Sequence, residues 1–448
     1  MDALPDRRTR LERYARQNLP RYTSYPTAPH FAPLAADAYR DWLGQVAPGD
    51  TLSLYLHIPF CQSLCWYCGC HTAVTRSLPR KARYAAGLMA EATLLRAALA
   101  APAPVSALHL GGGTPSALGA AQLDEVLAAL RANFGFTADS ERSVELDPRI
   151  LEDQTIAMLR RHGFTRASLG VQDMAPDVQK LIGRVQAPGL VESAVAKLRE
   201  AGFTGINFDL MYGLPDQTTV HVADSARFAV ACGADRVAVF GYAHVPWMKP
   251  HQKAIDEQRL PDALARMEQA ETAERVLLGA GYVAIGLDHF ARPEDPMAQA
   301  QAAGRLHRNF QGYTTDRAPV LLGLGASAIG ALPQGYVQNI PEEKAWLKAV
   351  EAAQLPVGRG LTLSADDRLR RELINAVMCD LHLDLRRVPG ALWQEVEPAL
   401  MPLFRDGLAE VSAGQLRVTE AGRRFVRHVA ACFDAYLGAA RARHSSAV

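Results

Sequence analysis

Between residues 51 and 242 the chain alternates two patterns. Short apolar runs at 52–58, 106–110, 143–146, 166–171, 205–211 and 236–242 are separated by segments whose apolar residues fall three and four apart, at 83–99, 122–133, 151–162, 189–200 and 221–231. Strand-length runs trading places with helix-period segments predict βα units and a parallel sheet. Six units are too few for the closed eight-unit barrel, so the expectation is an α/β fold built on an incomplete (β/α)6 barrel. The predicted helices stop at glycine breakers, HGF at 162–164, AGF at 201–203 and AGY at 280–282.

Outside this region the pattern changes. Residues 36–46 have helical spacing, and PRYTSYPTA at 20–28 reads as extended because of its prolines. That arm is either packed on the surface by its tyrosines or a lid over a site. The runs at 282–291 and 321–330 predict further strands or buried turns. HRNFQGYTT at 307–315 has little helical period and reads as a loop, with cations and aromatics that suit a carboxylate-bearing aromatic ligand. From about residue 361 helical spacing dominates, over 366–379, 392–401 and 422–437, with a hairpin at 411–419. The expected division is an N-terminal arm and lead-in helix at 1–50, a barrel with a C-terminal extension at 51–360, and a mainly helical, winged-helix-like covering domain at 361–448.

Composition narrows the classes. The 448 residues carry 48 basic and 47 acidic side chains, a net charge of +1, so no global field attracts nucleic acid or an anionic membrane. The N-terminus lacks the apolar core of a secretory signal. The uncharged runs at 97–123 and 318–341 are broken by Gly and Pro, which excludes a membrane helix there. No membrane partner is expected, nor a nucleic acid. Cys232, Cys379 and Cys432 are isolated and read as buried small hydrophobes. Clustered thiols without a disulfide framework point to a reducing compartment, the cytoplasm.

Four of the seven cysteines, Cys61, Cys65, Cys68 and Cys70, fall within ten residues directly after the first apolar run. Thiolates so close repel and oxidise unless a soft metal or an iron–sulfur cluster holds them. The spacing Cys-x3-Cys-x2-Cys matches neither common ferredoxin pattern, and the second Cys-x-x-Cys of a zinc ribbon is absent. Three ligands on a four-iron cluster leave one iron open. A structural zinc knuckle using His57, His71 or Cys70 as fourth ligand is the alternative that the loop alone leaves standing.

In parallel α/β sheets the chemistry gathers at the carboxyl ends of the strands. After the second predicted strand come Gly111-Gly112-Gly113-Thr114, after the third Glu145, after the fourth Gln172 and Asp173. The fifth carries Asp209, and after the sixth come Tyr242, Ala243 and His244. The glycine run is neither a dinucleotide fingerprint nor a phosphate loop; it is a tight turn or a close backbone approach to a ligand. Arg184 reads by default as an exposed helix-end arginine.

The cysteine motif, with Tyr67 before its third thiol, resembles the radical S-adenosylmethionine enzymes. In them an open iron chelates S-adenosylmethionine, and one-electron cleavage of the sulfonium yields a 5′-deoxyadenosyl radical. PRYTSYPTA, HIPFC–C–YCGC, GGGTP, VELDP, GVQD, NFDLMYGLP, YAHVP, DHFARPED and LHRNFQGYTT together resemble one family, the oxygen-independent coproporphyrinogen III oxidases, from residue 20 to beyond 330. The resemblance implies conversion of two propionates of coproporphyrinogen III to vinyls. It implies a [4Fe-4S] cluster on Cys61, Cys65 and Cys68, with Cys70 the family's extra cysteine, a candidate catalytic residue outside the ligand set. It also implies two S-adenosylmethionines, the first at Tyr55, Gly112, Glu145 and Ile329, the second at Tyr67, Gly113, Thr114, Gln172, Arg184, Asp209 and Ala243. An electron donor and acceptor of unidentified nature and a monomeric chain are implied with it. A sister family of haem chaperones shares the motif but generally lacks the fourth cysteine and the arm, so Cys70 and residues 20–28 favour the enzyme.

Overall fold

Six strands run parallel in the order of the chain: β1 (Leu52–Ile58), β2 (Val105–Gly112), β3 (Phe136–Leu146), β4 (Arg166–Gln172), β5 (Gly205–Tyr212) and β6 (Arg236–Gly241). The computed structural model describes residues 7–437, and expectations for 1–6 and 438–448 lie outside the described residues. The α/β architecture with an incomplete barrel is as the apolar runs predict. Beyond β6 lies the hairpin β7 (Val283–Ile285) and β8 (His289–Ala291), with β8 antiparallel to β6. On the other side β9 (Val320–Leu324) adds a seventh parallel strand against β1, followed by antiparallel β10 (Ile329–Leu332), β11 (Gly335–Asn339) and β12 (Val357–Thr362). The sheet therefore has two open edges and curls without closing.

Period-two alternation explains what the sheet encloses. In β4, Ala167, Leu169 and Val171 are buried beneath helices, whereas Ser168, Gly170 and Gln172 are half-buried on the other face. In β5, Ile206, Phe208 and Leu210 are buried and Asn207, Asp209 and Met211 are half-buried. Burying the apolar set against the helix layer removes roughly 2 kcal/mol worth of apolar surface per side chain from water. The register leaves a polar inner face, because shifting a strand by one residue would exchange the two sets. An ordinary closed barrel fills this space with branched aliphatic residues; here it is lined for a ligand.

Two large apolar cores hold the chain together. One joins the sheet to its helices from Tyr39 to Leu355. The second joins Leu373–Phe433 to Tyr14, Leu19, Tyr22 and Tyr25, so the arm packs on the C-terminal part. Tyr22 donates to Asp434 at 3.0 Å, and the backbone N–H of Ala435 donates to the Tyr25 hydroxyl at 3.0 Å. The arm's tyrosines thus act as anchors. The C-terminal part carries the expected hairpin, Ala409–Ser412 with Gln415–Val418.

Two local expectations are corrected. Residues 307–315 form a hairpin, His307–Asn309 with Gly312–Thr314, because the Asn309 carboxamide caps the turn by accepting from the Gln311 N–H at 2.9 Å. The helix expected over 422–437 is only Val426–Ala431, preceded by a single 3₁₀ turn at Arg423–Phe425.

Candidate functional site

At the carboxyl ends of the parallel strands lies a cavity of about 520 Å³. Its walls include Cys61, Cys65, Cys68 and Cys70 with Tyr67, then Gly112, Gly113 and Thr114 after β2. Glu145, Gln172, Asp209, Ala243 and Arg184 line it as well. Thirteen of the fifteen residues that the family resemblance implies thus surround one space. Tyr55 and Ile329 are not part of its wall. Tyr55 points inward from β1, its hydroxyl 3.1 Å from His57 Nδ1, and Ile329 begins β10 beside Gly323 of the neighbouring strand.

The glycine run has a stricter reason than a turn. A Cβ on Gly111 would lie 2.8 Å from the Glu145 carboxylate, and one on Gly113 would lie 2.7 Å from the Phe60 carbonyl oxygen. Gly112 has φ of +117°, which side chains avoid. The Gly113 and Thr114 N–H groups donate to Ile58 and Phe60 at 2.9 and 2.8 Å. The glycines therefore weld the strand end to the base of the cysteine loop, and the Gly112 N–H donates to Glu145 Oε2 at 3.1 Å.

Around the thiols the environment is cationic. Arg184 is buried at 6% exposure, against the expectation of a surface residue. It donates to Cys65 Sγ at 3.5 Å, to Asp147 at 3.3 Å and to the Gly170 carbonyl. Arg149 donates to the same sulfur at 3.6 Å while gripping Asp147 through both carboxylate oxygens. Two guanidinium groups thus converge on one sulfur. A hydrogen bond between the Cys68 and Cys70 thiols holds Cys68 below the usual thiol range and pushes Cys70 above it. Burial pushes Cys61 up to about 12, opposed by the Thr114 hydroxyl.

The loop's carbonyls are taken up by side chains that sequence reasoning passed over. Gln252 donates to Tyr67 O at 2.9 Å, His251 Nε2 lies 2.8 Å from Cys68 O, and Lys249 donates to Cys70 O at 2.8 Å. These contacts fix the backbone and leave the sulfurs to a ligand. The Asp-Pro-Arg that follows Leu146 was the available signal for Asp147 and Arg149.

Three thiols fit an iron–sulfur cluster, and a structural zinc would find neither histidine free as its fourth ligand. Both ring nitrogens of His57 are engaged, with Tyr55 and with the His71 carbonyl at 2.9 Å, and burial takes the ring down to about 4. His71 Nε2 is engaged by Pro341 O at 2.9 Å.

Deeper in the barrel the carboxylates are poised rather than paired. Asp209 accepts from Ser168 and from Asn207, each at 2.8 Å. Burial first, with help from Glu145, raises it to about 6. Glu145 Oε1 lies 3.2 Å from His109 Nε2. Asp173, behind the wall, is held by Gln217 at 2.6 Å and serves the loop instead. Among the described residues no helix is long and apolar enough to cross a membrane.

Comparison with known proteins agrees with this geometry. The Radical SAM superfamily model matches residues 55–229, and the HemN C-terminal domain model matches 363–425. The oxygen-independent coproporphyrinogen III oxidase of Bradyrhizobium diazoefficiens is 45% identical over 97% of this chain and 98% of its own. That of Paracoccus denitrificans is 43% identical over 96% of each. The solved Escherichia coli coproporphyrinogen III oxidase (HemN), described as a radical SAM enzyme, superposes with a TM-score of 0.88 at 38% identity, covering 94% of this chain and 100% of that one.

Proposed function

The chain belongs to the oxygen-independent coproporphyrinogen III oxidase family of radical S-adenosylmethionine enzymes, and from that premise we propose that it converts two propionates of coproporphyrinogen III to vinyl groups, giving protoporphyrinogen IX. Each conversion takes one hydrogen atom from the propionate carbon next to the ring, releases carbon dioxide and passes one electron to an acceptor. Side-chain acids and bases do not abstract hydrogen from such an unactivated carbon. A [4Fe-4S] cluster with S-adenosylmethionine supplies that chemistry when bound, through one-electron cleavage of the sulfonium to a 5′-deoxyadenosyl radical.

Cys61, Cys65 and Cys68 hold the cluster in this reading, and Cys70 stands outside the ligand set. The observation that carries it is the shared cavity, in which three thiols face Glu145 and Asp209. Glu145 accepts hydrogen bonds from the amino or hydroxyl groups of a first S-adenosylmethionine, with the Gly112 backbone, Tyr55 and Ile329 bordering it. A second is held by Tyr67, Gly113, Thr114, Gln172, Arg184, Asp209 and Ala243. Arg184 and Arg149 both donate to the Cys65 sulfur and hold it in place. The division into a 51–360 catalytic unit and a 361–448 cover belongs to the same proposal: the cover and the arm exclude water and stray hydrogen donors. The chain works as a cytoplasmic monomer with a separate electron donor and acceptor.

The test is anaerobic incubation of the cluster-loaded chain with coproporphyrinogen III, S-adenosylmethionine and a reductant. Protoporphyrinogen formation with stoichiometric 5′-deoxyadenosine is expected. Haem binding and transfer without turnover would contradict the proposal.

A further inference from the structure

Among the described residues twelve large apolar side chains are exposed, and five of them, Trp66, Val74, Leu78, Val185 and Met248, gather around the cysteine loop. Short links bring them there. Trp66 is bonded to Cys65, and its backbone N–H donates to the Ile182 carbonyl at 3.0 Å. Its indole covers Gly183, where a Cβ would meet the ring at 3.1 Å, and Val185 follows two residues on. Phe60–Cys61 pairs in parallel with Ala73–Val74, and the helix Leu78–Ala98 begins four residues later. Met248 precedes Lys249, whose ammonium donates to Cys70 O at 2.8 Å. Gln62, Ser63, Gly69 and Cys70 are exposed as well, so the loop is itself surface.

The segments that frame this face carry charge of one sign. Residues 61–90, 178–191 and 241–255 contain no Asp or Glu, yet they hold eight Lys and Arg side chains. Arg80 and Arg83 are balanced from outside by Glu343 and Glu351, and Arg184 is buried against Asp147. Arg76, Lys180 and Lys253, one on each segment, are exposed. With a net charge of only +1 the whole chain has no attracting field, so this basic surround is local. Exposed apolar side chains inside a polar rim are the anatomy of a protein interface, and aromatic residues and Met are enriched in such patches. A second copy of the chain would set the same basic rims against each other across a twofold axis. A partner with an acidic rim is complementary.

We propose that this face docks a small acidic protein that carries single electrons. The inference rests on the cluster assigned to Cys61, Cys65 and Cys68 under the proposed function. Each cleavage of the sulfonium consumes one electron. The carrier is oxidised by one electron as the cluster is reduced by one, and that electron goes into the carbon–sulfur bond, which breaks to methionine and the 5′-deoxyadenosyl radical. Cofactor and substrate take the cavity on the inner side of the loop, which leaves its outer side for the electron. Trp66 brings the docked face within one residue of the Cys65 thiol. Basic groups steer an acidic carrier to the loop, and the apolar side chains exclude water once it has arrived. Electron-transfer contacts are small, which suits a face of this kind.

The test uses the full-length, cluster-loaded chain with Met248→Glu and with the double change Lys180→Glu and Lys253→Glu, none of which lines the cavity. The probes are reduced flavodoxin and reduced [2Fe-2S] ferredoxin, both acidic carriers. With at least one of them the wild type is expected to form 5′-deoxyadenosine, and its Kd for that carrier should rise with salt. Each variant should lose about tenfold or more both in carrier affinity and in carrier-driven 5′-deoxyadenosine formation. Dithionite-driven formation and the visible spectrum of the cluster should stay as in the wild type. Variants that keep wild-type carrier affinity would overturn the proposal, as would a wild type that binds neither carrier. Sedimentation of the wild type with phosphatidylglycerol vesicles, lost in Met248→Glu while carrier binding is kept, would overturn it in favour of a membrane. A dimer that Met248→Glu disperses without touching carrier binding would overturn it in favour of a second copy. Carrier-driven 5′-deoxyadenosine without any conversion of coproporphyrinogen III would refute the proposed function and leave the docking face standing.

Discussion

Glu91 and Asp209 are both buried carboxylates on the same barrel, yet they belong to different parts of its design. Glu91 lies on the helix Leu78–Ala98, where it accepts from Gly325 N at 2.7 Å, Asn339 Nδ2 at 2.6 Å and Trp346 Nε1 at 3.1 Å. It seals the seam where β9 and β11 join the sheet to the helix Glu343–Glu351. Asp209 accepts from its strand neighbours Ser168 and Asn207 and lines the cysteine-lined cavity. Burial raises both, Glu91 to about 7 and Asp209 to about 6. A shift of the same size and cause thus sits on the structural residue. A perturbed carboxylate marks a site only when it also opens on a cavity beside other chemistry.

The sharpest way to break this contrast is through Asp209. Asp209→Asn keeps the shape and the hydrogen bond to Ser168 but removes the charge offered to a ligand. We expect kcat/KM to fall about 100-fold, roughly 2.7 kcal/mol of transition-state stabilisation, with a thermal midpoint within about 2 °C of wild type. An unchanged rate would place Asp209 in the frame.

Glu91→Gln is expected to do the converse. An amide N–H facing three donors costs about 1–3 kcal/mol of stability, read by denaturant unfolding, while kcat of the folded enzyme stays unchanged. Its pH dependence sharpens the point. The folded-state value lies above the unfolded one, so the stabilisation is fully present below pH 4.5 and is lost as pH rises to about 7. Over that window the wild type should lose on the order of 3 kcal/mol relative to Glu91→Gln. A gap that does not move with pH would mean that Glu91 stays ionised throughout.

The smallest effect lies on the same pair of helices. Arg83 and Glu351 form a bidentate pair at 2.7 and 2.8 Å, but 60% and 47% of their side chains are exposed. Solvent and salt screen such a pair, so Arg83→Ala should leave the denaturant midpoint and the activity both unchanged within measurement error. A large loss would show that exposure does not separate frame from ornament here.

How much was legible beforehand follows the same division. The six strands could be read because each needs an apolar face under a helix, and their ends could be read because parallel strands deliver side chains to one rim. The cysteines, the glycine run, Glu145, Gln172 and Asp209 all followed from that rule. Arg184 looked like a surface residue because nothing local tells that Asp147 and Cys65 bury it. Glu91 was silent for the same reason, since its three donors arrive from residues 325, 339 and 346. Lys249, His251 and Gln252 lie on no strand end, and only the folded chain brings them under the cysteine loop. The hairpin at 307–314 escaped because its strands are three residues each, too short for a period to declare itself.

The proposed activity turns on an iron that the thiols of Cys61, Cys65 and Cys68 would leave uncapped. Mössbauer spectroscopy of the anaerobically prepared, iron-57-loaded chain, with and without S-adenosylmethionine, tests this directly. The account predicts four irons of which one changes its environment when S-adenosylmethionine is added, with Cys70→Ser retaining the cluster and Cys61→Ser losing it. Four irons that ignore S-adenosylmethionine and require Cys70 for their retention would contradict it.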